Sequence, residues 1–391
     1  MTEAVIVSAA RTPIGRANKG TLRDVDAATL AQVALGAAIE RSGVDTADID
    51  DLILAECLQG GGVIGRYVAI EMGLTHVPGV ANNRHCAGGL TAIQLASGSI
   101  KAGMDKVVVA GGTESLSSMP QVLKSIPASA GDFKPWMSPG HRETPDAPAW
   151  DMSITVGENA SREAGLTRLD LDEWAVYSQQ QACLSIEKGY FENEIVPVAV
   201  PDGDGGTFLF TTDEHPRPGT TLEKLSQLPP LHPELENPTI TAANAAGLND
   251  AAAAVVLTSD DYAAANGLTP LAKVRSWASA GVEPARTGMG PIYAIPKALE
   301  RAGLTLDDID LFEINEAFNS VPVAAIRTLK IDPTIVNVNG SGCSLGHPIA
   351  ATGARMVATM INELRRQDKT LGLVAMCAAG GMGSAAVVEL L

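Results

Sequence analysis

Aromatic residues are scarce, 4% of 391, so the interior has to be built from Ala, Val, Leu, Ile and Met. Basic residues are also in deficit, 28 Lys plus Arg against 45 Asp plus Glu, for a net charge of −17. Such a surface forfeits the counterion-release term that drives non-specific nucleic-acid binding, and that class of partner is set aside. No apolar run approaches the roughly 18 residues of a membrane-spanning helix. The amino-terminus enters Ala4–Val7 with neither a basic leader nor an apolar h-region, which predicts a cytoplasmic protein without a membrane partner. The five cysteines, Cys57, Cys86, Cys183, Cys343 and Cys377, are odd in number and lack CxxC spacing, so reduced thiols are expected and no metal site.

The chain is 46% hydrophobic with 39 Gly and 23 Pro, globular in type and long enough for roughly two to three domains. It is internally repeated. Residues 41–56, RSGVDTADIDDLILAE, and 301–316, RAGLTLDDIDLFEINE, align without a gap at an offset of 260. In each copy an Ala- and Leu-rich helix stops at a glycine suited to a left-handed cap, Gly43 or Gly303, before an acidic turn and a short apolar strand. Pro296 restricts the second of these helices, since proline is tolerated only in a first turn. Residues 82–110 and 337–381 repeat a turn, a helix (about Leu90–Ala102 and about Ile349–Arg366) and a strand that runs into Gly111-Gly112 or Gly380-Gly381. The strands are continuously apolar, as when helices cover both faces. Two related α/β halves sharing helices between them are expected, 1–114 with 241–265 and 266–391, separated by an inserted segment, 115–240. The proline-rich stretch Met119–Trp150 reads as an irregular excursion that covers a site.

Chemistry-bearing residues fall in the turns. Cys86 precedes a helix in Asn82-Asn83-Arg84-His85-Cys86-Ala87-Gly88-Gly89, where the helix dipole would lower a thiol pKa. The alternative is a small buried packing residue. His347, in Gly346-His347-Pro348, holds the matching strand-to-helix turn of the second half, with Pro348 placed for the helix's first turn. If the halves face each other, thiol and imidazole meet as an activated nucleophile. Cys377 ends the last core strand, and the backbone amides of Ala378–Gly383 could face an oxyanion. Asn315-Glu316-Ala317-Phe318 follows the apolar strand of the second half, as turn formers or as site residues.

Taken together, these motifs resemble those of the thiolase family across essentially the whole chain. The opening Val7–Gly15, the Asn-Arg-x-Cys turn, Ala110–Ser115, Thr241–Asp250, Asn-Glu-Ala-Phe, Gly-His-Pro and Cys377 with its glycines all match in order. The resemblance implies duplicated α/β halves with mixed five-stranded sheets in an αβαβα layering. It also implies CoA-dependent acyl transfer with CoA as substrate and no bound cofactor. By that resemblance Cys86 is the nucleophile, His347 its base, and Cys377 the acid that protonates the departing acetyl-CoA carbanion. One oxyanion hole is then made by His347 and a water on Asn315, and a second by the backbone N–H groups of Cys86 and Ala379.

By the same resemblance Arg217 matches a position near the nucleotide of CoA, Ala246 one on the pantetheine arm and Met152 one that shapes the acyl pocket, and Phe318 is implied as a further substrate- or CoA-binding residue. The chain departs from the usual pattern at Gly88, Ala246, Ala350 and Ala379, which bears on pocket width and CoA affinity. A homodimer or homotetramer is implied as well. A condensing ketoacyl synthase of the same fold would lack Cys377 and the Asn-Glu-Ala-Phe motif. A non-catalytic scaffold subunit would have lost one of the three catalytic positions, and all are present here.

Overall fold

The computed structural model describes residues 2–127, 129 and 131–391. In chain order its main elements are β1 (Ala4–Arg11), α1 (Ala27–Ser42), β2 (Asp51–Ala55), β3 (Val80–Asn82), α2 (Gly88–Lys101), β4 (Val107–Ser115) and α3 (Arg168–Glu187). They continue with β5 (Asn249–Ser259), β6 (Ala272–Gly281), α4 (Gly290–Ala302), β7 (Leu311–Ile314), α5 (Ser320–Leu329), α6 (Thr352–Gln367), β8 (Leu371–Ala378) and β9 (Met382–Leu390).

The duplication is visible in the sheet. The first half orders its strands β3-β2-β4-β5-β1 and the second β7-β8-β9-β6, with the same parallel and antiparallel pairings. The counterpart of β3 in the second half has shrunk to one parallel bridge, Phe312 with Val336. The expected pair of five-stranded sheets is also continuous, because β1 and β6 pair edge to edge at Val5–Lys273 and Ile6–Ala272. α2 and α6 form the middle layer. Leu90, Ile93, Ala96 and Ile100 of α2 pack with Ala354, Val357, Ile361 and Leu364 of α6 in one cluster that also takes in strand residues from both halves. α6 is buried from Thr352 through Ile361, as befits a helix covered on all sides. The outer layers are α1 against the first half and α4 with α5 against the second.

Gly43 and Gly303 do end α1 and α4 with φ of +69° and +67°. Pro296 lies in the middle of α4, not in its first turn. It forgoes one backbone bond while Ala294, Ile295, Ala298 and Leu299 hold the helix by burial. The regular part of α6 begins at Thr352, three residues later than expected, and Pro348 stands in the turn before it, its carbonyl accepting from Ala351 N and Thr352 N. Gly111 and Gly112 lie inside β4 instead of after it, and Cys377 is not on the last strand, since β9 returns antiparallel beside it and pairs Gly383 with Cys377.

The 115–240 segment is less irregular than its prolines suggest. It holds an exposed hairpin, Val122–Ser125 with Phe133–Trp136, and a π-helical turn, Ser153–Glu158, ahead of α3. Arg11, fully buried at the end of β1, ties the segment down by bonding Glu194 (2.6 Å) and Asp213 (2.7 and 2.9 Å). No helix among the described residues is long and apolar enough to cross a membrane.

Candidate active site

The two turns do meet. A Cβ on Gly89 would stand 3.1 Å from Ala354 N, and one on Gly353 would stand 2.4 Å from Leu90 N, so the starts of α2 and α6 touch through bare backbone. The substituted positions fit the same contact: a Cβ on Gly88 would lie 4.0 Å from Ala350 Cβ and 2.9 Å from Ala55 Cβ. Arg84 crosses to the second half, donating to Ser279 Oγ at 2.9 Å.

Cys86 is half-buried on a tight turn in which His85 takes φ +44°, a left-handed conformation unusual for a residue with a side chain. His85 N donates to Asn83 Oδ1 (2.9 Å), and His85 Nδ1 lies 3.5 Å from Cys57 Sγ. The expected lowering of the Cys86 pKa does not occur. Burial pushes it up to about 11, against the opposing pull of the Ala379 and Cys86 backbone N–H groups, and the nearby Glu114 carboxylate adds to the rise. The helix begins only at Gly88, so the thiol lies outside the first turn, where the dipole fades quickly. The resting group is therefore a thiol, which must lose its proton as it attacks.

His347 is buried and neutral, its pKa lowered to about 3 by burial and by the charge of Arg355. Its backbone N–H donates to Asn249 Oδ1 (2.9 Å), its Nδ1 meets Thr352 Oγ1 (2.7 Å), and its Nε2 faces Asn315 Nδ2 (3.5 Å). Asn315 Oδ1 is buried with no hydrogen-bond partner among the described residues. Cys377 is buried, and its pKa is raised, first by burial and then by the proximity of Cys86. Cys86 and Cys377 thus lie near enough for the charge of the first to bear on the second, and the turn that carries His347 meets the turn that carries Cys86.

Two carboxylates, Glu114 and Glu316, tie this region together. Glu114 at the end of β4 accepts from Leu58 N (3.0 Å), Gln59 Nε2 (2.6 Å) and Ala350 N (3.3 Å), joining both halves. Burial raises its pKa to about 7. Glu316, next to Asn315, accepts from Trp174 Nε1 (2.9 Å), Ser178 Oγ (2.7 Å), Asn337 Nδ2 (3.0 Å) and Cys343 N (3.2 Å), which makes it a structural hub. Asn249 and Glu114 lay within recognised motifs, but only tertiary placement reveals their partners. No group of three or more His, Cys, Asp or Glu among the described residues could hold a metal ion.

The binding candidates divide into two groups. Ala246 N donates to Ala317 O (3.0 Å), Ala245 bridges to Phe318, and Phe318 and Met152 share one apolar cluster. The inserted segment reaches the crevice at Gly140, which packs on Gly380 and on His85 Nε2. Arg217 stands apart, its side chain exposed and in no ion pair among the described residues, while its backbone N–H is held by Gln179 Oε1 (2.8 Å).

Comparison with known proteins agrees with this architecture. The family model described as "Thiolase, N-terminal domain" matches residues 4–261, and "Thiolase, C-terminal domain" matches residues 268–390. An acetyl-CoA acetyltransferase of Cupriavidus necator is 42% identical over the full length of both chains. A 3-ketoacyl-CoA thiolase of Bacillus subtilis is 40% identical, also full length. Among solved structures, the acetyl-CoA acetyltransferase of Bacillus anthracis superimposes with a TM-score of 0.90 at 37% identity, and human mitochondrial 3-ketoacyl-CoA thiolase with 0.91 at 32%. Each comparison covers 100% of this chain and 99% of the other. Duplicated topology, facing turns and full-length similarity lead to one conclusion: the chain belongs to the thiolase family.

Proposed function

We propose that this protein is a CoA-dependent acyltransferase that cleaves 3-oxoacyl-CoA with CoA, or runs the reverse condensation, through an acyl group carried on Cys86. The observation that carries the reading is the contact of the two turns: the helix start that follows Cys86 packs through Gly88 and Gly89 on Ala350 and Ala354, which follow His347, and Cys86 is near enough to Cys377 to raise its pKa.

In the cleavage direction Cys86 Sγ attacks the 3-keto carbon while His347 Nε2 takes the thiol proton. The alkoxide that forms is held by the N–H groups of Cys86 and Ala379. Its collapse breaks the C2–C3 bond and leaves the electron pair as the enolate of acetyl-CoA. The imidazolium N–H of His347, with a water on Asn315, holds the enolate oxygen, and Cys377 gives its thiol proton to the carbon. Acetyl-CoA departs. Incoming CoA then returns a proton to Cys377 and attacks the thioester, and His347 reprotonates Cys86 as acyl-CoA leaves. The neutral imidazole and neutral thiols are the correct starting states for this sequence of transfers.

The apolar cluster around Met152 and Phe318 suits the acyl chain, Ala246 the pantetheine arm, and the unpaired Arg217 a phosphate of CoA. The chain divides as two catalytic halves, 1–114 with 241–265 and 266–391, and a covering segment, 115–240. The assembly is a cytoplasmic homodimer or homotetramer.

Mass spectrometry after incubation with acetyl-CoA tests the chemistry. One acetyl group is expected on Cys86 and none on Cys86→Ala, whose thiolysis rate falls by about four orders of magnitude or more. A wild-type protein that binds acetyl-CoA without acquiring the adduct would be a scaffold subunit instead. Thiolysis of 3-oxoacyl-CoA esters of graded length and bulk, compared by kcat/KM, then defines the substrate.

A further inference from the structure

The contact between His347 and Thr352 has a consequence for which nitrogen of the imidazole acts. Thr352 is the first regular residue of α6, and its Oγ1 lies 2.7 Å from His347 Nδ1 and 3.1 Å from the Pro348 carbonyl oxygen. A carbonyl oxygen only accepts, and a helical threonine hydroxyl commonly donates to the carbonyl four residues back. With its one proton committed to Pro348 O, Oγ1 meets the imidazole through a lone pair, and Nδ1 must carry the hydrogen. The other side of the ring agrees. Asn315 Nδ2, a donor, is the protein group facing Nε2, at 3.5 Å, which places a lone pair on Nε2. Thr352 is fully buried, so no solvent competes for its hydroxyl.

We propose that Thr352 is a positioning residue whose hydroxyl fixes His347 in the Nδ1–H tautomer, so that Nε2 is always the nitrogen presented to the Cys86 thiol proton. When that proton arrives, the imidazolium keeps its Nδ1–H bond to Oγ1 and holds the new proton at Nε2. Without the hydroxyl the ring is free to hold its hydrogen on Nε2, where it can take nothing from Cys86. The inference rests on His347 being the base proposed above.

The test uses Thr352→Val, which keeps the shape and removes the hydroxyl, and Thr352→Ser, which restores it. Alkylation of Cys86 by iodoacetamide at neutral pH should slow by about 10- to 100-fold in Thr352→Val, an effect typical of losing the partner that orients a functional histidine. kcat should fall with it while KM stays unchanged, and Thr352→Ser should recover most of both. Nitrogen-15 NMR of the wild-type enzyme, which depends on no variant folding, should show His347 protonated at Nδ1. An Nε2–H signal there, or a Thr352→Val enzyme that alkylates as fast as wild type, would overturn the proposal. His347→Asn separates the two levels. If it leaves alkylation unchanged, the assignment of the base fails. If it slows alkylation while Thr352→Val does not, only the role of Thr352 fails.

Discussion

The two halves share a scaffold and differ in chemistry, and equivalent positions show where the difference lies. The repeat equates Ala55 with Asn315 and Glu56 with Glu316. Strand register extends it: Ala55 pairs with Gly112 and Ile314 with Ala375, so Thr113 is the counterpart of Cys377. In the first half these places are inert. Ala55 fills space beside Gly88, and Thr113 donates to Ala27 O at 2.6 Å. In the second half they hold the Asn315 amide and the Cys377 thiol. The reciprocal contacts of Gly89 with Ala354 and of Gly353 with Leu90 likewise equate Cys86 with Ala350. On the proposed chemistry, the first half contributes the nucleophile and the second the base, the acid and the orienting amide. A near-symmetric fold gives a one-sided site because a few turn and strand-end residues diverged while the packing that positions them stayed.

Substitutions at equivalent positions sharpen this contrast. After Cys86 itself, the largest expected effect is at Cys377. Cys377→Ala should lose about 10²- to 10⁴-fold in 3-oxoacyl-CoA cleavage, the usual contribution of a positioned proton donor, while Cys86 still becomes acetylated by acetyl-CoA, more slowly, because the CoA thiolate can leave without a proton from Cys377. Loss of the adduct as well would assign Cys377 to the nucleophile's activation instead.

Next in size is Arg11, which binds the first half to the inserted segment. Arg11→Met leaves Glu194 and Asp213 buried without their cation and should cost about 3–5 kcal/mol in denaturant unfolding.

Glu114, which bridges the halves, comes third. Its pKa rises from an ordinary 4.5 to about 7, so folding favours the protonated form. Its favourable contribution is complete below pH 4.5 and is lost as the pH rises through 7. Relative to Glu114→Gln, wild type should therefore lose about 3 kcal/mol across that interval, read from unfolding curves at several pH values. A constant difference would mean that the carboxylate is ionised throughout.

The smallest effect is at the inert counterpart. Thr113→Val should cost about 1 kcal/mol of stability for the lost bond to the Ala27 carbonyl, which keeps its helical partner, and leave kcat/KM unchanged.

Much of this is legible in the sequence. The repeat announced the two halves, the caps at Gly43 and Gly303 fell where glycine punctuation placed them, and the residues of the crevice came from motifs in the turns. What escaped detection depends on partners distant in sequence. The Cys86 thiol was expected to acidify from its place before a helix, but burial between two halves outweighs a dipole whose first turn it does not reach. Pro296 sits mid-helix because tertiary packing tolerates a lost backbone bond. Glu114 reads as one more acid in a motif until Ala350 N, 236 residues away, is seen to donate to it.

The central claim is that Cys86 of one half and Cys377 of the other face a common crevice. Treatment with 1,3-dibromoacetone, a short bis-electrophile, followed by peptide mass spectrometry, reads this directly. The account predicts a single cross-linked species joining the peptides that carry Cys86 and Cys377, blocked by prior acetylation with acetyl-CoA. Alkylation of each thiol separately, with no bridge between them, would contradict it.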